Sequence, residues 1–297
     1  MSETIGIVGI GLMGSAISHN LIQSGFNVQG YDVDPLRLDE FAERGGTPVR
    51  SPSEVANGVK WMILSLPDSN VVNDVVFGEK GILDKDREGL IICDASTSRP
   101  EDSGNLGKEL ALRNVKFLDT CVSGTSAMAW DKDLIVVAGG ERSGFEICLP
   151  YLQSFSRAAY YMGPFGSGAL TKLIINLVLA GNRVALGEGL TLGTKAGMNP
   201  LELLTVLEDG ACGSKTMSDK GPKMIQGDYS PEGRMSTKTP RLMLEQGARF
   251  GSPMFLASLW NQLVQAGCEL GFSELDPVAF HEVQRVMAGL SQRSQKN

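Results

Sequence analysis

The stretch "TIGIVGIGLMGSAISHNL", residues 4–21, decides the fold. Thr4 to Val8 is a short, β-branched apolar run. Gly9, Gly11 and Gly14 follow at the spacing G-x-G-x-x-G, and Leu12 and Met13 inside that motif open a segment of helical periodicity. Strand, glycine turn and helix in this order make the first half of a βαβ unit. The next strand, "NVQGYDV", carries Asp32, 18 residues after Gly14. The glycines have separate tasks: Gly9 makes the tight turn, Gly11 lets backbone approach a pyrophosphate, and Gly14 lets helix and strand pack closely. The helix N-terminus offers free N–H groups and a positive dipole to phosphates. Asp32 would accept hydrogen bonds from ribose hydroxyls and repel a 2′-phosphate. Val33 and Asp34 after it offer no cation for that phosphate, so NAD is expected rather than NADP.

Further runs of the same kind lie downstream. "WMILSLP", "LIICDAS", "VKFLDTCV" and "DLIVVAGG" read as strands, separated by helix-like segments such as "PLRLDEFAERG", "NVVNDVVFG" and "RPEDSGNLGKELALRN". Apolar strands alternating with helices predict a parallel sheet covered on both faces. The pattern changes at "MGPFGSG". From Ala169 apolar residues recur at helical spacing for about 28 positions, up to Lys195, Gly197 and Pro200, which together form a helix stop. That helix would be roughly 40 Å long. "PLELLTVLEDG", "TPRLMLEQGARFG", "PMFLASLWNQLVQAGCELG" and "PVAFHEVQRVMAGLS" all read as helices. The expected architecture is an α/β Rossmann domain over 1–163, an interdomain helix over 164–195 and an all-α domain over 196–297.

The chain has 297 residues, 42% of them hydrophobic, and a formal net charge of -7. An acidic surface argues against nucleic-acid and anionic-membrane partners, which need a basic face. The five cysteines are scattered, with no C-x-x-C, so a reducing cytoplasm is expected and a disulfide framework is not. No run of about 18 uninterrupted apolar residues reads as a membrane span, and no basic-then-apolar leader is evident.

A dinucleotide domain implies hydride transfer, which needs a group to take or give a hydroxyl proton. His19 is on the first helix and His281 in the last. There is no Y-x-x-x-K, and no Cys/His cluster has metal-ligand spacing. "GPFGSGALTKLIINL" remains. Lys172 and Asn176 are four apart and share a helix face, with Leu170, Leu173, Ile174 and Leu177 around them. Apolar walls disfavour a charged ammonium and bring a lysine toward acid–base use. Gly163, Gly166 and Gly168 would let other backbone approach. The same pattern also describes a surface lysine at the edge of an amphipathic helix.

These blocks, taken in order, resemble the β-hydroxyacid dehydrogenase family, which includes 3-hydroxyisobutyrate dehydrogenase, tartronate semialdehyde reductase and succinic semialdehyde/glyoxylate reductase. "GIGLMGSAISHNL" resembles the family's N-terminal signature, "SLPDS" its L-P loop and "DASTSRP" its D-x-S-T-x-x-P. "FLDTCVSG" resembles D-A-P-V-S-G-G, and "GPFGSGALTKLIINL" resembles G-x-G-x-x-x-K-x-x-x-N. The resemblance covers nearly the whole chain. It implies Lys172 as catalytic acid/base and Asn176 as a substrate-holding neighbour. It implies Ser123 and Gly124 as carboxylate ligands, and Leu66, Pro67 and Thr97 as cofactor neighbours. It also implies a homodimer or homotetramer acting on a small anionic hydroxy acid or semialdehyde.

The chain departs from the family pattern at two places. Thr125 replaces the second glycine of S-G-G, so the carboxylate pocket would be narrowed or re-aimed. The family's K-D pair is Lys238-Thr239, with Lys238 still able to reach the cofactor and Thr239 expected to cap a helix whose first residue is Pro240. Sulfolactaldehyde reductases share T-S-A at 125–127 but carry an arginine where Gly124 stands. 6-Phosphogluconate dehydrogenase has K-x-x-H-N where this chain reads Lys172-Leu-Ile-Ile-Asn176, and imine reductases lack the lysine. The expected function is oxidation of a small β-hydroxy acid or reduction of its semialdehyde. The alternatives are reduction of an unusual anionic aldehyde such as sulfolactaldehyde, and a non-catalytic cofactor-binding module.

Overall fold

A computed structural model of the chain describes residues 3–230 and 233–293. The chain divides into two units, Met1–Lys172 and Leu173–Asn297. The first is built on one sheet. Its strands are β1 (Thr4–Val8), β2 (Asn27–Tyr31), β3 (Thr47–Pro48), β4 (Trp61–Leu64), β5 (Ile91–Asp94), β6 (Lys116–Ser123), β7 (Ile135–Gly140) and β8 (Ala158–Gly163). They lie in the order β3-β2-β1-β4-β5-β6-β7-β8. Strand order reverses at β1, the feature that opens a crevice at the carboxyl edge of a doubly wound sheet.

The strands are apolar at successive positions because helices cover both faces. β4 and β5 are buried at every residue. Ile5, Ile7, Trp61 and Ile63 pack into one core cluster, while Val8, Met62 and Leu64 pack into another. Alternate residues of one strand therefore feed opposite faces, as the period of two requires. The covering helices are α1 (Leu12–Gln23), α2 (Pro35–Glu43), α3 (Pro52–Val55), α4 (Ser69–Phe77), α5 (Pro100–Ala111), α6 (Ser126–Trp130) and α7 (Arg142–Phe155).

The sheet differs from the sequence expectation in three strands. β3 and β8 were not foreseen: β3 is two residues long, and β8, "AAYYMG", is partly exposed along its length. β7 runs antiparallel to β6. The chain from Gly124 to Leu134 holds only the short α6, and a parallel return needs a crossover of about a dozen residues or more.

Helix α8 spans Ser167–Lys195, 29 residues. By length and composition it would pass as a membrane span. Its Ala180, Val184, Leu186 and Leu190 instead sit in the helical core of the second unit. That core also takes residues from α9 (Pro200–Asp209), α10 (Lys215–Gln226), α12 (Phe255–Glu269) and α13 (Phe280–Met287); α11 (Lys238–Phe250) packs Leu242 and Met243 against Leu173 and Ala257. α10 escaped the sequence reading because Gly221 and Pro222 interrupt its pattern. The start of α11 also differs: it begins at Lys238, with Thr237 preceding it. Thr239 is therefore not its cap. The Lys238 N–H donates to Ser236 Oγ at 3.2 Å, which fixes the entry earlier.

Candidate active site

The glycine turn folds as its spacing requires. Gly9 has φ +91°, and its N–H donates to the Tyr31 carbonyl at 2.9 Å, fastening the turn to β2. A Cβ on Gly14 would strike the Gly9 carbonyl oxygen, so α1 approaches the turn only through a hydrogen atom. Gly11 is the N-cap of α1; no side chain caps that terminus and no acidic residue lies in its first turn. The first N–H groups of α1 thus remain for an outside acceptor, which fits a pyrophosphate. Met13 packs against the core, while Leu12 is exposed.

Asp32 directly follows β2 and is buried. Its Oδ2 accepts from the Ile10 N–H at 2.6 Å and its Oδ1 from the Asp34 N–H at 2.9 Å. The carboxylate therefore holds the glycine turn and the start of the following loop. The sequence reading missed a cation here. Arg37, on α2, sits 3.6 Å from Asp32 and 3.4 Å from Asp34.

Leu66 and Pro67 follow β4, Thr97 follows β5, and Ser123 ends β6. All four lie at the carboxyl edge of the parallel strands, with the glycine turn after β1. Ser96, which sequence reasoning passed over, ties two of these loops together. Its Oγ accepts from the Leu66 N–H at 2.9 Å, and its own N–H donates to Asp94 Oδ1 at 2.9 Å. Gly124 is exposed, with φ +147°. Thr125 has a local duty: its Oγ1 accepts from the Met128 N–H at 3.2 Å and caps α6.

Lys172 lies in the second turn of α8, in the first unit. The start of α8 is pinned to β6 by Asp119, whose Oδ1 accepts from the Gly166 N–H at 2.9 Å and Oδ2 from the Ala169 N–H at 2.8 Å. Gly168 makes the approach possible, since a Cβ there would strike the Asp119 carbonyl oxygen. Burial pushes the Asp119 carboxyl up to about 6, against the pull of those two N–H groups. Cys121, two residues on, is fully buried; its thiol is raised by burial and by Asp119 and Asp94, and lowered by the Lys172 charge. No sequence signal short of the "FLDT" strand itself pointed to Asp119.

In the second unit Asn176 is one turn beyond Lys172 on the same helix and lines a pocket with Arg183 and Thr239. Lys238 opens α11. His19 packs on Trp130 with ring centroids 5.2 Å apart. Burial pushes His281 down to about 3, helped by Arg293 and Arg285.

Residues 4–163 match the family model described as the NAD binding domain of 6-phosphogluconate dehydrogenase. Residues 166–283 match that described as NAD-binding of NADP-dependent 3-hydroxyisobutyrate dehydrogenase. Glyoxylate/succinic semialdehyde reductase 1 of Arabidopsis thaliana is 32% identical over 274 residues, 92% of this chain and 95% of that protein. The chain belongs to the β-hydroxyacid dehydrogenase family. A second member, 2-(hydroxymethyl)glutarate dehydrogenase of Eubacterium barkeri, is 28% identical over 98% of this chain and 97% of its own. Cytokine-like nuclear factor N-PAC of Xenopus tropicalis is also 28% identical, over 94% of this chain but only 53% of that protein. The 3-hydroxyisobutyrate dehydrogenase structure from Mycobacterium tuberculosis superposes with a TM-score of 0.87 at 24% identity, covering 96% of this chain and 100% of that one. The family shares this Rossmann sheet and helical second unit, with nicotinamide-binding domains, and the relatives named as reductase and dehydrogenase are oxidoreductases.

Proposed function

We propose that the protein is a dehydrogenase of a small β-hydroxy acid, or a reductase of the matching semialdehyde, with Lys172 as its general acid/base. The observation that carries this reading is the placement of Lys172. It stands in the second turn of a helix whose start is pinned by Asp119, four positions before Ser123 on β6. The relatives named as semialdehyde reductase and hydroxy-acid dehydrogenase support the same class.

The uncapped N-terminus of α1, Asp32, Leu66, Pro67 and Thr97 would hold the dinucleotide, with Lys238 a further candidate contact. A bound nicotinamide supplies hydride acceptance and donation. Lys172 Nζ takes the substrate hydroxyl proton as the carbonyl forms, and returns it in the reverse direction. Ser123 and the Gly124 N–H would hold the substrate carboxylate, and Asn176 would orient the reacting oxygen. Thr125 would bear on that pocket only through α6, because its hydroxyl is used as a cap. NAD is the proposed cofactor. Arg37 is shared between Asp32 and Asp34, so the three groups sum to one negative charge, and a 2′-phosphate would meet net repulsion.

The test is absorbance at 340 nm with NAD or NADP and a panel of 3-hydroxyisobutyrate, glycerate, 4-hydroxybutyrate, threonate and 3-hydroxypropionate, plus the reverse reactions with glyoxylate and the semialdehydes. Turnover with NAD and one of these acids is the expected result. Silence across the panel, with NADH binding intact, would favour the second reading. That reading is a cofactor-binding module, and the N-PAC relatives, named as nuclear factors, lend it support.

A further inference from the structure

Helix α8 carries a cation that the proposed chemistry does not use. Arg183 lies seven residues after Asn176, so the two side chains leave the helix within about 20° of one another and about 10 Å apart along its axis. Both line one pocket of about 160 Å³ in the second unit, with Arg234, Ser236 and Thr239. The rest of the lining is largely apolar and includes Leu179, Trp260 and Phe280. Pockets for drug-sized ligands run from about 300 to 1,000 Å³, so this one suits a short acyl arm.

Arg183 is placed as if awaiting an anion. Its Nε is buried with no hydrogen-bond partner among the described residues. The acids whose charge reaches it, Asp276 and Asp219, are held by Lys220 at 3.4 and 3.6 Å. Burial lowers its proton affinity, and those two acids only oppose this. Arg183 is half-buried and its guanidinium stays charged all the same, so its one buried, unsatisfied N–H is costly until an acceptor arrives. Arg234 is engaged with Glu274 at 3.2 Å and is mostly exposed. Thr239 stands where the family pattern has aspartate, so no carboxylate from that position answers Arg183. Among the described residues, the pocket is lined by two arginines and other polar donors and by no acid.

We propose that Arg183 binds a second acid group of the substrate, so that the preferred substrate is a β-hydroxy acid, or its aldehyde, with a carboxylate or sulfonate at its far end. This rests on the dehydrogenase reading above for the reacting end, at Asn176. Helical side chains all lean toward the N-terminus, and the longer arginine chain can reach about 4–5 Å further back than the Asn176 amide does. The remaining span of roughly 5 Å matches about four carbon–carbon bonds of ~1.5 Å each.

Two substrates share the reacting end and differ only in the arm: 3-hydroxyisobutyrate and 2-(hydroxymethyl)glutarate. The wild-type protein should favour the second by at least tenfold in kcat/KM. Arg183→Met should bring that ratio close to one, mainly through KM, and Arg183→Lys should restore part of it. Equal use of both acids by the wild type overturns the proposal, as does a ratio that survives in a folded Arg183→Met variant. Calorimetric titration with glutarate and with pentanoate, both with NADH present, reads the anion pocket independently of turnover. Glutarate binding that exceeds pentanoate binding and is lost in Arg183→Met supports the anion pocket even if neither hydroxy acid turns over. Equal binding of the two removes the pocket whatever the reaction.

Discussion

Asp32 shows how one residue joins folding to selectivity. Its carboxylate caps the Ile10 N–H inside the glycine turn and also sets the sign of the field where a ribose would lie. Replacement by asparagine keeps one acceptor oxygen for Ile10 and removes the charge, leaving Arg37 to meet an incoming 2′-phosphate. Asp32→Asn should therefore raise the NADP-to-NAD ratio of kcat/KM by about 10–100-fold, since like-charge contacts of this kind cost a few kcal/mol. Steady-state kinetics with both cofactors decides it. A ratio that does not move would detach Asp32 from cofactor choice. The sequence displayed Asp32 through its spacing from Gly14. Arg37 escaped notice because it lies on α2 and reaches Asp32 only once β2 and α2 are folded together.

At the scale of the element, α8 is held at its start by a carboxylate from another strand. Asp119 satisfies two N–H groups of the Gly166–Ala169 entry, yet burial keeps its charge expensive and lifts its carboxyl to about 6. Its folded value lies above the ordinary 3.8, so the stability it confers is full below 3.8 and is lost as pH rises through about 6. The loss is on the order of 2–3 kcal/mol. Asp119→Asn does not titrate and strands one donor pair, so it should be less stable at pH 4. Urea unfolding of both proteins should then show the wild-type advantage shrinking by that amount between pH 4 and pH 7. An advantage that is flat or grows with pH would contradict the role given to burial. The extent of α8 was legible from apolar spacing and from Lys195 and Gly197 at its end. Its anchoring was not, because Asp119 and Gly166 are 47 residues apart in the chain.

Across the whole molecule, the features read best were those written locally. The β1–glycine–α1 unit, β4, β5 and β6 as buried strands, and four of the helices after α8 all follow from short-range periodicity. What escaped depends on neighbours. β3 and β8 are defined by pairing with β2 and β7, the direction of β7 by a connection too short for a crossover, and α10 by burial of a face broken by Pro222. The site divides the same way. The glycines, Asp32, Lys172 and Asn176 stand in spaced motifs, whereas Ser96, Asp119 and Arg183 acquire meaning only from what surrounds them. If Lys172 moves the substrate proton, its removal stops turnover and spares cofactor binding. The most direct measurement is kcat for Lys172→Ala and wild type on the best panel substrate, with NADH affinity followed by fluorescence in the same preparations. A loss of about 10²–10⁴-fold in kcat with NADH binding unchanged is the expected result. Turnover near the wild-type level would show that the proton travels by another group and would contradict the mechanism.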